Sequence, residues 1–391
     1  MHRSMWTYPW DVLDLSAERV TAELRAAGLD TVSLATSYHA GRFLQVRSPV
    51  RKTFFPEDGT IYFNPTPARW DHLAIRPQVA AVVTERGDVL ADLVRRRDAG
   101  GLRVACWTVC LHNSRLGLRH PGAVTRNAYD EPSVFNLCPS HPDVRAYITT
   151  LVADLSATYK PDRVELESPG FMGYAHDHHH EKDGLGLTAE DDLLLSLCFC
   201  PACLERAAAA GVDGSRAKST VRHWLDDAFA RAVPEPRWPA LLADGIEAFR
   251  TYPEVYDYLA WRIEPVTSLI AEIREHADPG TAVVVIDLQD GWLGGLDRRA
   301  ASDACDGVIL CAYDMTPAAM SQLLAAGRTL LGPDKLLGTG LRLFYPEMQG
   351  PADIASRVSA AETAGCDVMN FYNYGLVPQA RLDWIRSARS M

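Results

Sequence analysis

Short apolar, β-branched runs recur along this chain, most of them followed by a polar loop and then by apolar residues at helical spacing. The first three are "DTVSLATSYH" (30–39), "HLAIRP" (72–77) and "RVACWTVCLHN" (103–113). "DRVELESPG" (162–170) follows an amphipathic stretch over 144–159. The pattern resumes with "TAVVVIDLQDG" (281–291), "DGVILCAYD" (306–314), "KLLGTGLRLF" (335–344) and "DVMNFYNYG" (367–375). Strands that alternate with helices pair in parallel, because a parallel neighbour needs a crossover connection. Eight such units predict an α/β fold, a (β/α)8 TIM barrel whose buried strands read as near-continuous apolar runs. No G-x-G-x-x-G follows the first strand and no G-x-x-x-x-G-K-[ST] occurs, which counts against a doubly wound nucleotide-binding sheet.

Two stretches break the rhythm. Residues 42–65 alternate and carry "EDGT", predicting a β-hairpin insertion after strand one. Residues 170–280 form a longer, helical insertion after strand four, holding a histidine-rich loop and a group of cysteines. The expectation is a single catalytic domain over 1–391. A chain of 391 residues, 47% hydrophobic and 23% charged, can bury a core of that size. Its formal net charge of -11 argues against nucleic acid or an anionic membrane as partner. The N-terminus lacks an apolar leader, and no run approaches the roughly 18 apolar residues of a membrane span. Nine cysteines, most on or beside the strand candidates, suit reduced buried thiols and predict a cytoplasmic location. Oligomeric state stays open, a homo-oligomer included.

In such a barrel the chemistry collects at the C-terminal ends of the strands. Strand one delivers Tyr38 and His39 there, and strand three Trp107, His112 and Asn113. Strand four contributes Glu165 and Glu167, which share a face while Leu166 takes the other. Strand five ends in Asp287, with Asp290 and Trp292 just beyond. Strand six supplies Tyr313 and Asp314, strand seven Arg342, and strand eight Asn370, Tyr372 and Asn373. Sugar rings stack their apolar faces on aromatics and need donors and acceptors along their edges. Glycoside hydrolysis also needs two carboxyl groups, one acting as acid and the other as nucleophile or base. The competing readings are a structural ion-pair network at the strand ends and, for Trp107, a place in the barrel core.

"HDHHHEKDG" (176–184) falls in the loop after strand four, at the same mouth. His178, His179, His180 and Glu181 can contact sugar or tune the pKa of Glu167, can bind metal, or can be a solvated loop. Strands five to eight offer no histidine at their ends, which argues against a catalytic zinc or iron centre built on this loop. Cys198, Cys200 and Cys203, with a fourth ligand such as Cys138 or a histidine, would make a structural zinc site. Reduced thiols at the start of a helix are the alternative. Catalysis is expected to require no cofactor.

"LESP" after strand four, "CAYD" at strand six and "CFCPAC" at 198–203 resemble the (β/α)8 glycoside hydrolase superfamily. The resemblance is closest to glycosidase-like members that carry a C-x-C-x-x-C element after strand four. It implies a glycoside hydrolase, and the missing apolar leader favours an intracellular one acting on a small glycoside or oligosaccharide. The chitinase signature D-x-x-D-x-D-x-E would align Asp162, Glu165 and Glu167 with its first three acids, but its catalytic glutamate then falls on Pro169. The pattern with an Asn-Glu pair at strand four and a Glu at strand seven also fails, since Leu166 precedes Glu167. Members with acids at strands four and six fit better, which pairs Glu167 with Asp314 and leaves Asp287 in support. Two rivals remain: a metal-dependent sugar isomerase or hydrolase using the 176–181 loop, and a non-catalytic carbohydrate-binding barrel.

Overall fold

The computed structural model describes residues 1–176, 181–288 and 290–388. Eight parallel strands form its centre: β1 (His2–Thr7), β2 (Thr31–Tyr38), β3 (Arg103–Val109), β4 (Arg163–Glu167), β5 (Ala282–Asp287), β6 (Gly307–Cys311), β7 (Leu336–Arg342) and β8 (Val368–Tyr372). Each pairs with the next, and β1 pairs with both β2 and β8, so the sheet closes into the expected barrel. Alternation along each strand sorts the side chains into two nested cores. On β5, Val283 and Val285 pack outward with the helices, while Val284 and Ile286 pack inward with Trp6, Trp107, Ile309 and Cys311.

The number of strands agrees with the sequence reading, but one member differs. β1 was not among the expected strands, because "HRSMWT" is short and opens on two basic residues. The segment 72–77 is turn rather than strand; its apolar signal comes from Ile75, buried as a side-chain plug, and Pro77 ends it. The strand expected first is therefore β2, and the hairpin of Phe43–Leu44 with Thr53–Phe54 follows β2 instead of the first strand. From residue 103 onward the strand order is as expected.

Between β4 and β5 the chain inserts helices at Ala189–Ser196, Pro201–Ala209, Gly214–Phe229 and Pro253–Trp261 before Ile263–His276 packs on the barrel helix Pro142–Tyr159. Local chemistry explains them. Thr188 and Asp191 form a reciprocal capping box at the first, and Asp213 caps the third by accepting from the Arg216 amide at 2.9 Å. Ala217, Val221, Trp224, Leu225 and Ala228 give that third helix a buried stripe at helical spacing. Among the described residues, no helix is long and apolar enough to cross a membrane.

Inside the barrel the carboxylate of Glu165 is fully enclosed. Trp6 Nε1 and Ser33 Oγ each donate to one oxygen at 2.7 Å; Arg163 Nε at 2.6 Å and Asn370 Nδ2 at 2.9 Å donate to the other. A buried charge is tolerated only when every lone pair is met in this way. Replacing Glu165 with leucine strands the Arg163 guanidinium and is expected to cost about 3–5 kcal/mol in urea unfolding. A loss under about 1 kcal/mol would show that the network contributes little.

Candidate active site

Above Glu165, the inward residues at the C-terminal strand ends enclose a hollow of about 330 Å³. It is lined by Trp6, Tyr38, Trp107, Glu167, Ile286, Leu288, Tyr313, Arg342, Phe344 and Tyr372. Glu167 is the one carboxylate among these described lining residues. Its position follows from the strand period, since it stands two residues above Glu165 on the same face. Trp107 Nε1 donates to it from β3. Burial pushes the Glu167 carboxyl up to about 7, with the Trp107 hydrogen bond working against that rise.

Tyrosines close one side. The Tyr8 hydroxyl lies 3.1 Å from that of Tyr38 and 2.6 Å from that of Tyr372. Burial holds all three phenols above their ordinary range, Tyr372 at about 12, so they stay protonated and able to donate. Beside Tyr372, its register partner on the neighbouring strand, Arg342 lies 5.2 Å over the Tyr313 ring and donates to Asp314 and, at 2.7 Å, to Glu347.

A second hollow of about 290 Å³ runs over the ends of β4 and β5 and shares Glu167, Ile286 and Leu288 with the first. Asp287, Asp290, Ser168, Phe171 and Asp192 line it. Asp287 is buried and accepts from Arg298 Nε. The loops after β4 and β5 touch backbone to backbone, the Phe171 amide donating to Gly294 O at 3.0 Å. That approach requires glycine on both sides: a Cβ at Gly170 would lie 2.5 Å from Gly294 O, and one at Gly294 2.5 Å from Phe171 O.

Of the residues read from sequence, Tyr38, Trp107, Glu167, Tyr313, Arg342 and Tyr372 come together on the first hollow, and Asp287 and Asp290 on the second. Asp314 lines neither; it is exposed at the rim and ion-paired with Arg342. Glu165 and Asn370 lie beneath the hollow in the enclosed network. Asn373 is buried, its Oδ1 accepting from the Gly375 amide at 3.0 Å. Asn113 caps the helix Ser114–Arg119, accepting from the Leu116 amide at 2.9 Å. His39 stacks between Tyr38 and His112 at 4.4 and 4.2 Å, and His176 meets His112 edge-on at 4.7 Å. Trp292 packs against the outer core, and Glu181 is exposed. His178, His179 and His180 lie outside the described residues. Trp6, Tyr8, Phe344 and Phe171 escaped the sequence reading; the aromatic run "MWTYPW" (5–10) was the signal for the first two.

The cysteines of 198–203 meet Cys138. Its sulfur lies 3.9 Å from that of Cys198 and 3.5 Å from those of Cys200 and Cys203. All four are buried, with sulfur atoms within 4.8 Å of one another, a cluster able to hold a metal ion. The Arg126 amide donates to Cys198 Sγ at 3.3 Å, and the Cys203 thiol to Ser140 Oγ at 3.2 Å.

No family model matches the chain, and no curated protein sequence matches it either. Solved structures do. The whole chain superposes on α-L-fucosidase isoenzyme 2 from Paenibacillus thiaminolyticus with a TM-score of 0.58 at 13% identity, spanning 49% of that protein's chain. It covers 97% of the PgaB (BpsB) glycoside hydrolase domain from Bordetella bronchiseptica, with a TM-score of 0.55 at 15% identity over 100% of its own length. For the β-amylase catalytic domain from Paenibacillus polymyxa, the TM-score is 0.58 at 11% identity, covering 99% of this chain and 97% of that one. These neighbours are glycoside hydrolases, and at such identities the likeness is one of fold.

The Trp107 hydrogen bond favours the ionised form of Glu167, so Trp107→Phe is expected to move its titration above 7. Carboxyl-carbon NMR, with Glu167→Gln to assign the resonance, checks this. A downward shift would mean that the indole does not set the carboxyl's proton affinity.

Proposed function

We propose that this chain is a glycoside hydrolase acting on a small glycoside or oligosaccharide, with Glu167 as the proton donor. One observation carries the reading: a carboxyl held near pKa 7 in a hollow walled by Trp6, Trp107, Tyr38 and Tyr372. A carboxylic acid still partly protonated at neutral pH can deliver its proton to a glycosidic oxygen. The aromatic faces suit sugar rings, and the tyrosine hydroxyls suit their edges. The fold likeness to a fucosidase, a β-amylase and the PgaB glycoside hydrolase domain agrees with it.

Asp287 is our choice for the second carboxylate, because it lines the same continuation of the hollow as Glu167 and is ion-paired with Arg298. Asp314, the partner read from sequence, instead holds Arg342 against Tyr313, which suits a substrate contact made through the arginine. No cofactor is called on for the reaction. The cysteine cluster is assigned a structural zinc ion. Four thiolates at a zinc–sulfur distance of about 2.3 Å form a tetrahedron with edges near 3.8 Å, and the three sulfur separations at Cys138 run from 3.5 to 3.9 Å. Nine free buried cysteines support a reducing, cytoplasmic setting.

A panel of aryl glycosides tests the assignment. Glu167→Gln and Asp287→Asn are each expected to lower turnover by about 10²–10⁴-fold, and Asp314→Asn far less. Wild-type activity should decline as pH rises through 7, where Glu167 gives up its proton. A Glu167→Gln variant that keeps full activity sinks the reading; one in which Asp314→Asn is dead and Asp287→Asn active moves the second role to Asp314.

The same carboxyl predicts a stability effect. Folded Glu167 keeps its proton up to about 7, whereas an unfolded glutamate loses it near 4.3. Between those values the folded state binds the extra proton, so stability falls as pH rises. Above pH 7, Glu167→Gln is therefore expected to be more stable than wild type, by about 1–3 kcal/mol in denaturant unfolding. Equal stability at pH 5 and pH 8 in both proteins would contradict the raised proton affinity.

A further inference from the structure

Arg262 has no use in the chemistry above, yet it is among the largest fully buried side chains of the protein. It follows the helix Pro253–Trp261, inside the insertion. Its Nη2 donates to Leu293 O at 3.2 Å, and its guanidinium lies 4.7 Å over the Phe171 ring. Nε and Nη1 are buried with no hydrogen-bond partner, and no carboxylate among the described residues pairs with it. Arginine keeps its charge in proteins, so an enclosed and unpaired guanidinium is a substantial penalty. A negative charge facing it would offset that penalty. The Arg262 amide donates to Tyr258 O at 3.0 Å, while the Tyr258 hydroxyl donates to Cys198 O and its ring stacks on Phe199 at 4.9 Å. Arg262 is thereby set one helical turn from the residue that touches the cysteine segment, and Tyr258, Cys198 and Cys203 all act on its charge.

We infer that Arg262 is the charge-balancing partner of a metal-loaded Cys138–Cys198–Cys200–Cys203 centre, and that it couples this centre to the wall of the hollow beside Glu167. The inference rests on the zinc reading of that cluster. Four neutral thiols present no charge to the guanidinium. Binding a divalent ion releases the four thiol protons to solvent and leaves four thiolates around two positive charges, a net charge of two minus. Arg262 then supplies a buried positive charge that acts on Cys198 and Cys203. Its other contacts, Phe171 and Leu293, line the hollow that holds Asp287 and Glu167. The residue that would balance the cluster's charge thus packs on the wall of the hollow beside Glu167.

This arrangement makes a prediction of opposite sign for the two metal states. With metal bound, Arg262→Met removes the counter-charge; with metal stripped, it removes an unpaired buried cation. Native protein is purified and its zinc measured. Melting temperatures of loaded and chelator-stripped protein are then compared for wild type, Arg262→Met and Arg262→Lys. Arg262→Met is expected to lower the melting temperature of the loaded form while leaving that of the stripped form unchanged or raised. Its zinc affinity, by competition with a chromogenic chelator, should fall about 10- to 100-fold, and Arg262→Lys should recover most of it.

Equal shifts in both states would make Arg262 a packing residue and overturn the inference while leaving the zinc intact. If stripped protein does not fold, the affinities decide, and equal values for wild type and Arg262→Met overturn it. Absence of stoichiometric zinc, with no thiolate-to-cobalt absorption on adding cobalt, would instead overturn the zinc reading and the coupling with it. Glycosidase activity, assayed separately, stands or falls independently.

Discussion

A carboxylate on the axis of a barrel has to be met by donors from several strands at once. Glu165 draws Trp6 from β1, Ser33 from β2, Arg163 from its own strand and Asn370 from β8. Those bonds tie together the strands on either side of the closure. They also hold the Trp6 indole in the orientation from which it lines the hollow above. The floor of the candidate site is thus the upper surface of a polar network whose cost of burial is offset only while every member is present.

Glu167 stands one strand period higher and is treated differently. Among the described residues it receives a single side-chain donor, the Trp107 indole, and no cation, so burial dominates and its proton is retained to near neutrality. Two glutamates on one face of one strand are thereby separated in role by their partners alone. The asymmetry serves the proposed reaction: the lower one ties the strands together, and the upper one is left with a proton to give to the substrate.

Much of this was legible in the sequence, for physical reasons that also explain the gaps. Long apolar strands from residue 103 onward announce themselves by composition, so residues at their ends, among them Trp107, Glu167 and Tyr372, could be placed at the mouth. β1 could not be read the same way, because half its length is His2, Arg3 and Ser4, and with it went Trp6 and Tyr8. Glu165 and Glu167 share a face, and nothing local tells which is enclosed; that depends on Ser33 and Asn370, which lie more than a hundred residues away. Asp287 and Asp314 both follow apolar strands, and their different settings come from Arg298 and Arg342. Cys138 could be named only beside a histidine as the fourth ligand, since sixty residues separate it from Cys198.

The closure itself has a temporal side. β1 occupies the first residues of the chain and finds its second neighbour only in β8, near the other end. During synthesis the first strand of the barrel must wait, with one edge unsatisfied, until the other seven have followed it. Glu165 waits as well, because Asn370 is the last of its donors to arrive. The barrel can therefore be finished only in one stroke, late, when its two ends meet around a charge that no partial structure can fully shelter.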